Sequence, residues 1–447
     1  MNITAHRGEI LHCLGEPDGA DNRSNNGDNK NNKSWQHFAD GLLVIENGYI
    51  HSVGDAKTLL KTLPKDLPLT EHPNCLITPG FVDIHVHFPQ CEVIASHGKQ
   101  LLEWLETYTF PAEMQFSDPE YARKIATFFL DQLLLNGTTT ALVFGTVHPQ
   151  SVDAFFTEAQ QRNLRMICGK VMMDRNAPDD LLDTPEQSYK ESRDLIQKWH
   201  NTDRLAYAVT PRFAPTSTPE QLDRAGRLLQ EFPDVHFQTH LSENKKECEW
   251  VTELFPDRKN YLDVYDHHQL LGKRSVFAHG IHLKNDEWKR LAETDSAIAF
   301  CPSSNLFIGS GLFKLKEANK YGIKTGLGTD IAGGDSFSIL RTINQAYKTQ
   351  QLQGEALSAI QSFYMATLGG AKALDLHDKI GNFETGKEAD FLILDYHATA
   401  LIKFKIEHCD SIHERLFSLI MLGDERTVKY TYIMGKQTGT RNKNAKS

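Results

Sequence analysis

The feature that most constrains this 447-residue chain is a series of eight short β-like runs separated by helical stretches. The runs are Phe81–His87, Thr138–Gly145, Arg165–Met173, Leu205–Arg212, Val235–His240, Ser275–His279, Ala297–Cys301 and Lys324–Asp330. Helical periodicity marks the pieces between and after them, such as Pro119–Leu135, Pro185–His200, Pro219–Phe232 and Asp335–Gln351, some opening with a capping residue followed by proline. Strands that alternate with helices pair in parallel, because each crossover helix returns the chain to the same edge. Eight such units close a (β/α)8 barrel of the TIM type, and the length leaves room for a smaller companion.

The companion is expected from the chain ends. Ile3–Leu14 and Gly41–Val53 carry short apolar alternations, and the Asn47-Gly48 pair reads as a hairpin turn. Ala389–Asp395 and Thr427–Gly435 repeat the pattern at the far end. The expected architecture is therefore α/β: a barrel over residues 79–384 and a small β-sandwich domain formed by residues 1–78 and 385–447. Asp18–Ser34, almost wholly polar and rich in Asn and Gly, is expected as a solvated loop, because it has too little apolar surface to offset ordering entropy.

Charge and cysteines narrow the setting. A net charge of −10 without a long basic run argues against nucleic acid as a partner. Apolar runs such as Gly41–Ile45 and Phe391–Leu394 are too short to span a membrane, and Met1–Arg7 lacks a signal-peptide apolar region. The seven cysteines, 13, 75, 91, 168, 248, 301 and 409, are scattered and never spaced C-x-x-C, which fits a reducing, cytoplasmic setting. The missing P-C-x-x-C pair also removes the cytidine-deaminase type of zinc site.

Chemistry concentrates where the strands end. His85 and His87 lie two apart on the first strand and so project from one face. His240, His279 and Asp330 each close a predicted strand, and in a barrel the strand C-termini share the rim that carries the active site. Imidazoles with one carboxylate suit zinc or ferrous iron and leave a position for water. Asp330 is placed to take the proton released from that water. Glu243, three residues beyond His240, is read as a proton-transfer group; the plainer alternative is a helix-initiating glutamate in a solvated turn before Asn244. On burial habits alone, Arg212 reads as a salt-bridge residue and Phe213 as core. Lys170 falls inside a predicted strand and is not expected to bridge two metals, so one metal is expected. The Gly326–Gly334 stretch lacks dinucleotide-binding spacing and is expected to let the backbone pass close to the site.

Over nearly its whole length the chain resembles the amidohydrolase superfamily and, within it, the guanine deaminases. The resemblance is carried by Pro79-Gly-Phe-Val-Asp-Ile-His-Val-His-Phe-Pro-Gln90, Asn136-Gly-Thr-Thr-Thr140, Thr210-Pro-Arg-Phe-Ala-Pro215, Thr239-His-Leu-Ser-Glu-Asn244, Cys301-Pro-Ser-Ser-Asn305 and Gly328-Thr-Asp330. It implies one zinc per chain, with ferrous iron as the alternative, held by His85, His87, His240 and Asp330. It further implies Glu243, Asp330 and His279 as catalytic groups. It also implies that Gln90, Arg212 and Phe213 join His87, His240, Glu243 and Asp330 around a guanine substrate, and that the chain assembles as a homodimer. Two rivals stand beside this. A relative acting on an oxidised purine, a triazine or an adenosine derivative is opposed by Gln90, Arg212 and Phe213. A catalytically silent binding barrel is opposed by the complete ligand set.

Overall fold

A computed structural model describes residues 3–17, 34–64, 66–97 and 100–438. Eight parallel strands occupy the predicted places: β1 Phe81–His87, β2 Thr138–Phe144, β3 Arg165–Gly169, β4 Ala206–Pro211, β5 His236–Leu241, β6 Ser275–His279, β7 Ala297–Phe300 and β8 Lys324–Leu327. They are hydrogen-bonded in sequence order from β1 to β8. The Asp330 N–H donates to the His85 carbonyl at 3.0 Å and the His87 N–H to the Ile331 carbonyl at 3.2 Å, so the chain beyond β8 bonds back to β1 and nearly closes the barrel.

Two strand ends differ from expectation. The third run breaks at Lys170, and the two residues Val171–Met172 form a separate short strand against β4. Asp330 is not the last residue of its strand; β8 stops at Leu327, and Asp330 sits in the following loop with φ 51°. The left-handed backbone at Asp330 belongs to the turn that brings this carboxylate to the His85 and His87 rings.

The barrel holds together by size sorting. Val82, Ile84, Leu142, Ile167, Ala208, Val276, Ala278, Ala297 and Ala299 form one buried cluster drawn from six strands. Larger side chains such as Phe237, Phe277 and Tyr265 pack with one another between sheet and helices. The helices begin where caps predict. Asp118, Thr184 and Thr218 accept backbone N–H groups ahead of Pro119–Leu135, Pro185–Trp199 and Pro219–Glu231. Each such cap contributes about 1 kcal/mol.

The two chain ends do meet. Ile3–Cys13, Trp35–Glu46, Tyr49–Asp55, Leu69–Pro79, Phe391–Asp395, Val428–Ile433 and Lys436–Thr438 form a seven-stranded sheet. Every pairing is antiparallel except Ile3–Cys13 with Leu69–Pro79, and the strands lie on one hydrogen-bonded path rather than in two separate sheets. Asn47 at φ 53° and Gly48 at φ 90° supply the paired left-handed residues of a tight hairpin turn. Glu388, next to the sheet, accepts from Arg165 at 2.6 Å and from Arg204, tying the sheet to the barrel. Residues 18–33 of the Asn-rich segment lie outside the described residues. No helix among the described residues is long and apolar enough to cross a membrane.

Candidate active site

The site is built from the bottom of β1 upward. The register of β1 against β2 shifts between Asp83 and Val86, leaving His87 opposite Phe144. Such a bulge re-aims the side chains beside it. Asp83 is fully buried below, accepting the Thr329 N–H at 3.1 Å, the His85 N–H at 3.3 Å and the Thr329 hydroxyl. It joins β1 to the loop that carries Asp330. His279 at the end of β6 has φ 73°, and with Asp330 it makes two non-glycine left-handed residues facing one another. Strain of this kind costs about 1–3 kcal/mol per residue and persists only where its surroundings hold it.

Four of the expected residues converge. His85, His87, His240 and Asp330 each offer a ligand atom, and these atoms all lie within 4.8 Å of one another. Asp330 Oδ1 is 3.2 Å from His85 Nε2 and 3.4 Å from His87 Nε2, and His87 Nε2 is 3.2 Å from His240 Nε2. Tautomers follow from the outer contacts. His240 Nδ1 must donate to the Arg212 carbonyl at 2.7 Å, because a carbonyl only accepts, and its Nε2 therefore keeps a lone pair toward the cluster. Burial and the neighbouring His85 hold His87 and His240 well below the ordinary histidine pKa, so both stay in the neutral form that binds metals. Burial opposes the Asp330 charge, but His85, His279 and His87 outweigh it and keep the carboxyl well below its usual range. His85 Nε2 is buried without a well-directed hydrogen bond despite its short distance to Asp330. Converging lone pairs, an ionised carboxylate and an orphaned buried nitrogen are the donor set that a divalent cation satisfies.

Glu243 stands just ahead of a helix but does not cap it. The helix is Lys245–Leu254, and its cap is Asn244, which accepts from the Lys246 N–H at 3.0 Å. Glu247 completes the box by accepting the Glu243 and Asn244 N–H groups at 2.8 and 2.9 Å. Glu243 is thus spared from capping. Its buried carboxyl takes one hydrogen bond, from the Ser310 hydroxyl at 3.1 Å, and lies 3.5 Å from His279 Nε2. Burial and the nearby Asp330 charge raise its pKa to about 8. His279 donates from Nδ1 to Asn305 Oδ1 at 2.9 Å, which leaves Nε2 facing Glu243 and Asp330.

These groups open on a pocket of about 440 Å³. Leu101, Trp104, Leu105 and Ile308 give it an apolar wall, while Gln90, Arg212 and Phe213 line it together with the expected His87, His240, Glu243, His279 and Asp330. Arg212 pairs with the buried Glu113 at 2.7 Å, as its salt-bridge reading expects, and it also lines the pocket. Phe213 likewise is buried and still lines the pocket. His85 stands beneath, among the ligand atoms. Lys170 is fully buried in an ion pair with Asp183 and is not among the cluster. The glycine stretch does run close: a Cβ at Gly328 would lie 2.9 Å from the His85 Cβ, and one at Gly333 would lie 2.5 Å from Ser304 Oγ.

Sequence reasoning assigned nothing to Glu113, Asn305, Ser310 or Glu247. Asn305 at least stands in the quoted Cys301–Asn305 motif, and Glu247 falls at the capping-box spacing from Asn244. Glu113 carries no local mark, since a lone acid in Phe110–Met114 is unremarkable until its partners from distant strands arrive.

Residues 76–438 match the model of the amidohydrolase family. The guanine deaminase of Escherichia coli (strain K12) is 54% identical over 403 residues, covering 90% of this chain and 92% of that protein. The solved structure of E. coli guanine deaminase superposes with a TM-score of 0.92 at 50% identity, covering 98% of this chain and 100% of the other. A guanine deaminase structure from C. acetobutylicum, described as having bound guanine in the active site, has a TM-score of 0.85 at 29% identity and covers 98% and 100% of the two chains.

Proposed function

This chain belongs to the amidohydrolase family, and from that premise we propose that it deaminates guanine by hydrolysis, exchanging the amine at C2 for oxygen to give xanthine and ammonia. The observation that carries the reading is the convergence of His85, His87, His240 and Asp330 beside the buried Glu243 carboxyl. The four residues would hold one zinc ion, with ferrous iron as the alternative. When bound, such an ion acts as a Lewis acid that lowers the pKa of water from about 15.7 toward about 7.

The chain's own groups do the rest. Asp330, ionised in its histidine cage, accepts the proton that water gives up. Glu243, protonated near neutral pH because it is buried, gives its proton to a ring nitrogen beside C2. Recharged with the proton that Asp330 took from water, it protonates the departing amine, which leaves as ammonia, and it takes back the proton of the new C2 hydroxyl as the carbonyl forms. His279, its tautomer set by Asn305, presents Nε2 to both carboxylates. Arg212 offers donors to the carbonyl edge of the purine, Gln90 offers a donor and an acceptor, and the Phe213 face stacks on the ring. The apolar wall of Leu101, Trp104, Leu105 and Ile308 keeps bulk water out while the charges shift. A cytoplasmic homodimer, with the barrel over residues 79–384, completes the proposal.

Purified protein incubated with guanine, adenine and cytosine tests it through ammonia release. Guanine alone is expected to react, with activity lost to a strong chelator and restored by zinc. Turnover of adenine in place of guanine, or full activity with no metal bound, sinks the reading.

A further inference from the structure

We propose that Glu113 sets substrate selectivity, by locking the polarity with which Gln90 and Arg212 meet the purine edge; this rests on the guanine reading above. Glu113 is fully buried and does not line the pocket, so it acts through its neighbours as a positioning residue. Its Oε1 accepts from Gln90 Nε2 at 3.1 Å, and its two oxygens accept from Arg212 Nη1 at 2.9 and 2.7 Å. On the opposite side, Gln90 Oε1 accepts the Ala332 backbone N–H at 3.2 Å.

A glutamine amide is nearly symmetric in shape, and half a turn about its last bond exchanges donor and acceptor. Here both ends are pinned. The NH2 group faces a carboxylate that only accepts, and the oxygen faces a backbone N–H that only donates. A half turn would oppose oxygen to carboxylate and NH2 to N–H, losing both bonds at once. One amide N–H and one lone pair remain for a ligand, in an order the protein dictates. Arg212 is pinned in the same way, by Glu113 on Nη1 and by the Phe110 ring 5.5 Å from its guanidinium carbon. It has donors only.

A locked Gln–Arg pair therefore reads a fixed pattern. Guanine presents a carbonyl acceptor at C6 beside an N–H donor at N1. The purine 2,6-diaminopurine keeps the same outline and the same reacting amine at C2 but reverses both edge groups, with an amine donor at C6 and a bare acceptor at N1. A pair that cannot turn rejects it. A buried site that hydrogen-bonds its substrate discriminates strongly because mismatched polar groups are left unpaired. With Glu113→Gln, the new amide can face Gln90 in either sense and no longer holds Arg212 by charge, so the lock opens.

The experiment measures kcat and KM for guanine and for 2,6-diaminopurine in the wild type, E113Q and E113D, with metal content and Tm alongside. In E113Q the guanine to 2,6-diaminopurine ratio of kcat/KM is expected to fall at least about tenfold. The loss falls mainly on guanine KM, with metal content unchanged. E113D, whose carboxylate is one methylene short, is expected to lose part of the ratio; it carries the test alone should E113Q fail to fold. Equal losses on both purines, with the ratio intact, reduce Glu113 to packing and overturn the proposal. A wild type that turns over neither purine overturns the guanine reading and the proposal with it.

Discussion

Among the described residues, two places bury histidines against one another, and one of them has the makings of a site. At the barrel rim, His85, His87 and His240 surround Asp330. In the terminal sheet, His6 and His72 stack with ring centroids 5.3 Å apart, and His6 Nδ1 meets His72 Nε2 at 3.0 Å. The sheet pair is walled by Phe391 and Tyr432, each with its ring 4.9 Å from His6. No carboxylate bonds to it among the described contacts, and the two rings serve as donor and acceptor to each other. The rim adds what the His6–His72 pair lacks: an anion among the rings, lone pairs left over after the outer hydrogen bonds are made, and a pocket. Burial and proximity of imidazoles make a packing motif; unspent lone pairs beside an ionised carboxylate make a place for a cation.

The comparison is broken most forcefully by removing the anion. Asp330→Ala is expected to drop bound metal from one per chain to near zero, by elemental analysis, with turnover falling to background. Retention of a full metal complement would show the three histidines sufficient and erase the distinction drawn here. Glu243→Gln comes next, because it keeps every ligand and removes the shuttle. Turnover should fall at least about a hundredfold with metal content intact, whereas near-normal turnover would take Glu243 out of the mechanism.

The smallest effect on activity belongs to the sheet pair. His6→Gln with His72→Gln should leave metal content and kcat unchanged, and a loss of metal there would falsify the division into site and packing. Stability tells the pair apart instead. Burial, with His72 adding for His6 and Lys429 for His72, depresses both pKa values from 6.5 to about 4. Between those values the unfolded chain takes up protons that the folded chain refuses, so this contribution is present above pH 6.5 and is lost as the pH falls toward 4. The loss is on the order of 2 kcal/mol. Chemical denaturation at pH 7 and pH 4.5 should show the wild type losing more stability on acidification than the double variant.

Much of this was legible in local pattern. The order of the eight strands, the Asn47-Gly48 hairpin, the proline-led helices and the meeting of His85, His87, His240 and Asp330 at the rim all announced themselves. Each depends on how a residue relates to its near neighbours: alternation for a strand, a capping oxygen ahead of a helix, two histidines on one face. The ends of elements were less legible, and Asp330 shows why. Its run reads as one strand, but the ladder stops at Leu327 and the left-handed Asp330 bonds instead to the His85 carbonyl, which belongs to a strand 245 residues away.

By itself, the sequence determined the barrel, the rim residues and the kind of chemistry they support, because periodicity and residue type dictate which face is buried and which atoms can bind a cation. Tertiary structure alone decided that the Glu243 carboxyl turns into the pocket, where the Ser310 hydroxyl from 67 residues away meets it. It also decided that Glu113 grips Gln90 and Arg212, because the strength of a buried ion pair or hydrogen bond depends on distance in space, which sequence separation does not record.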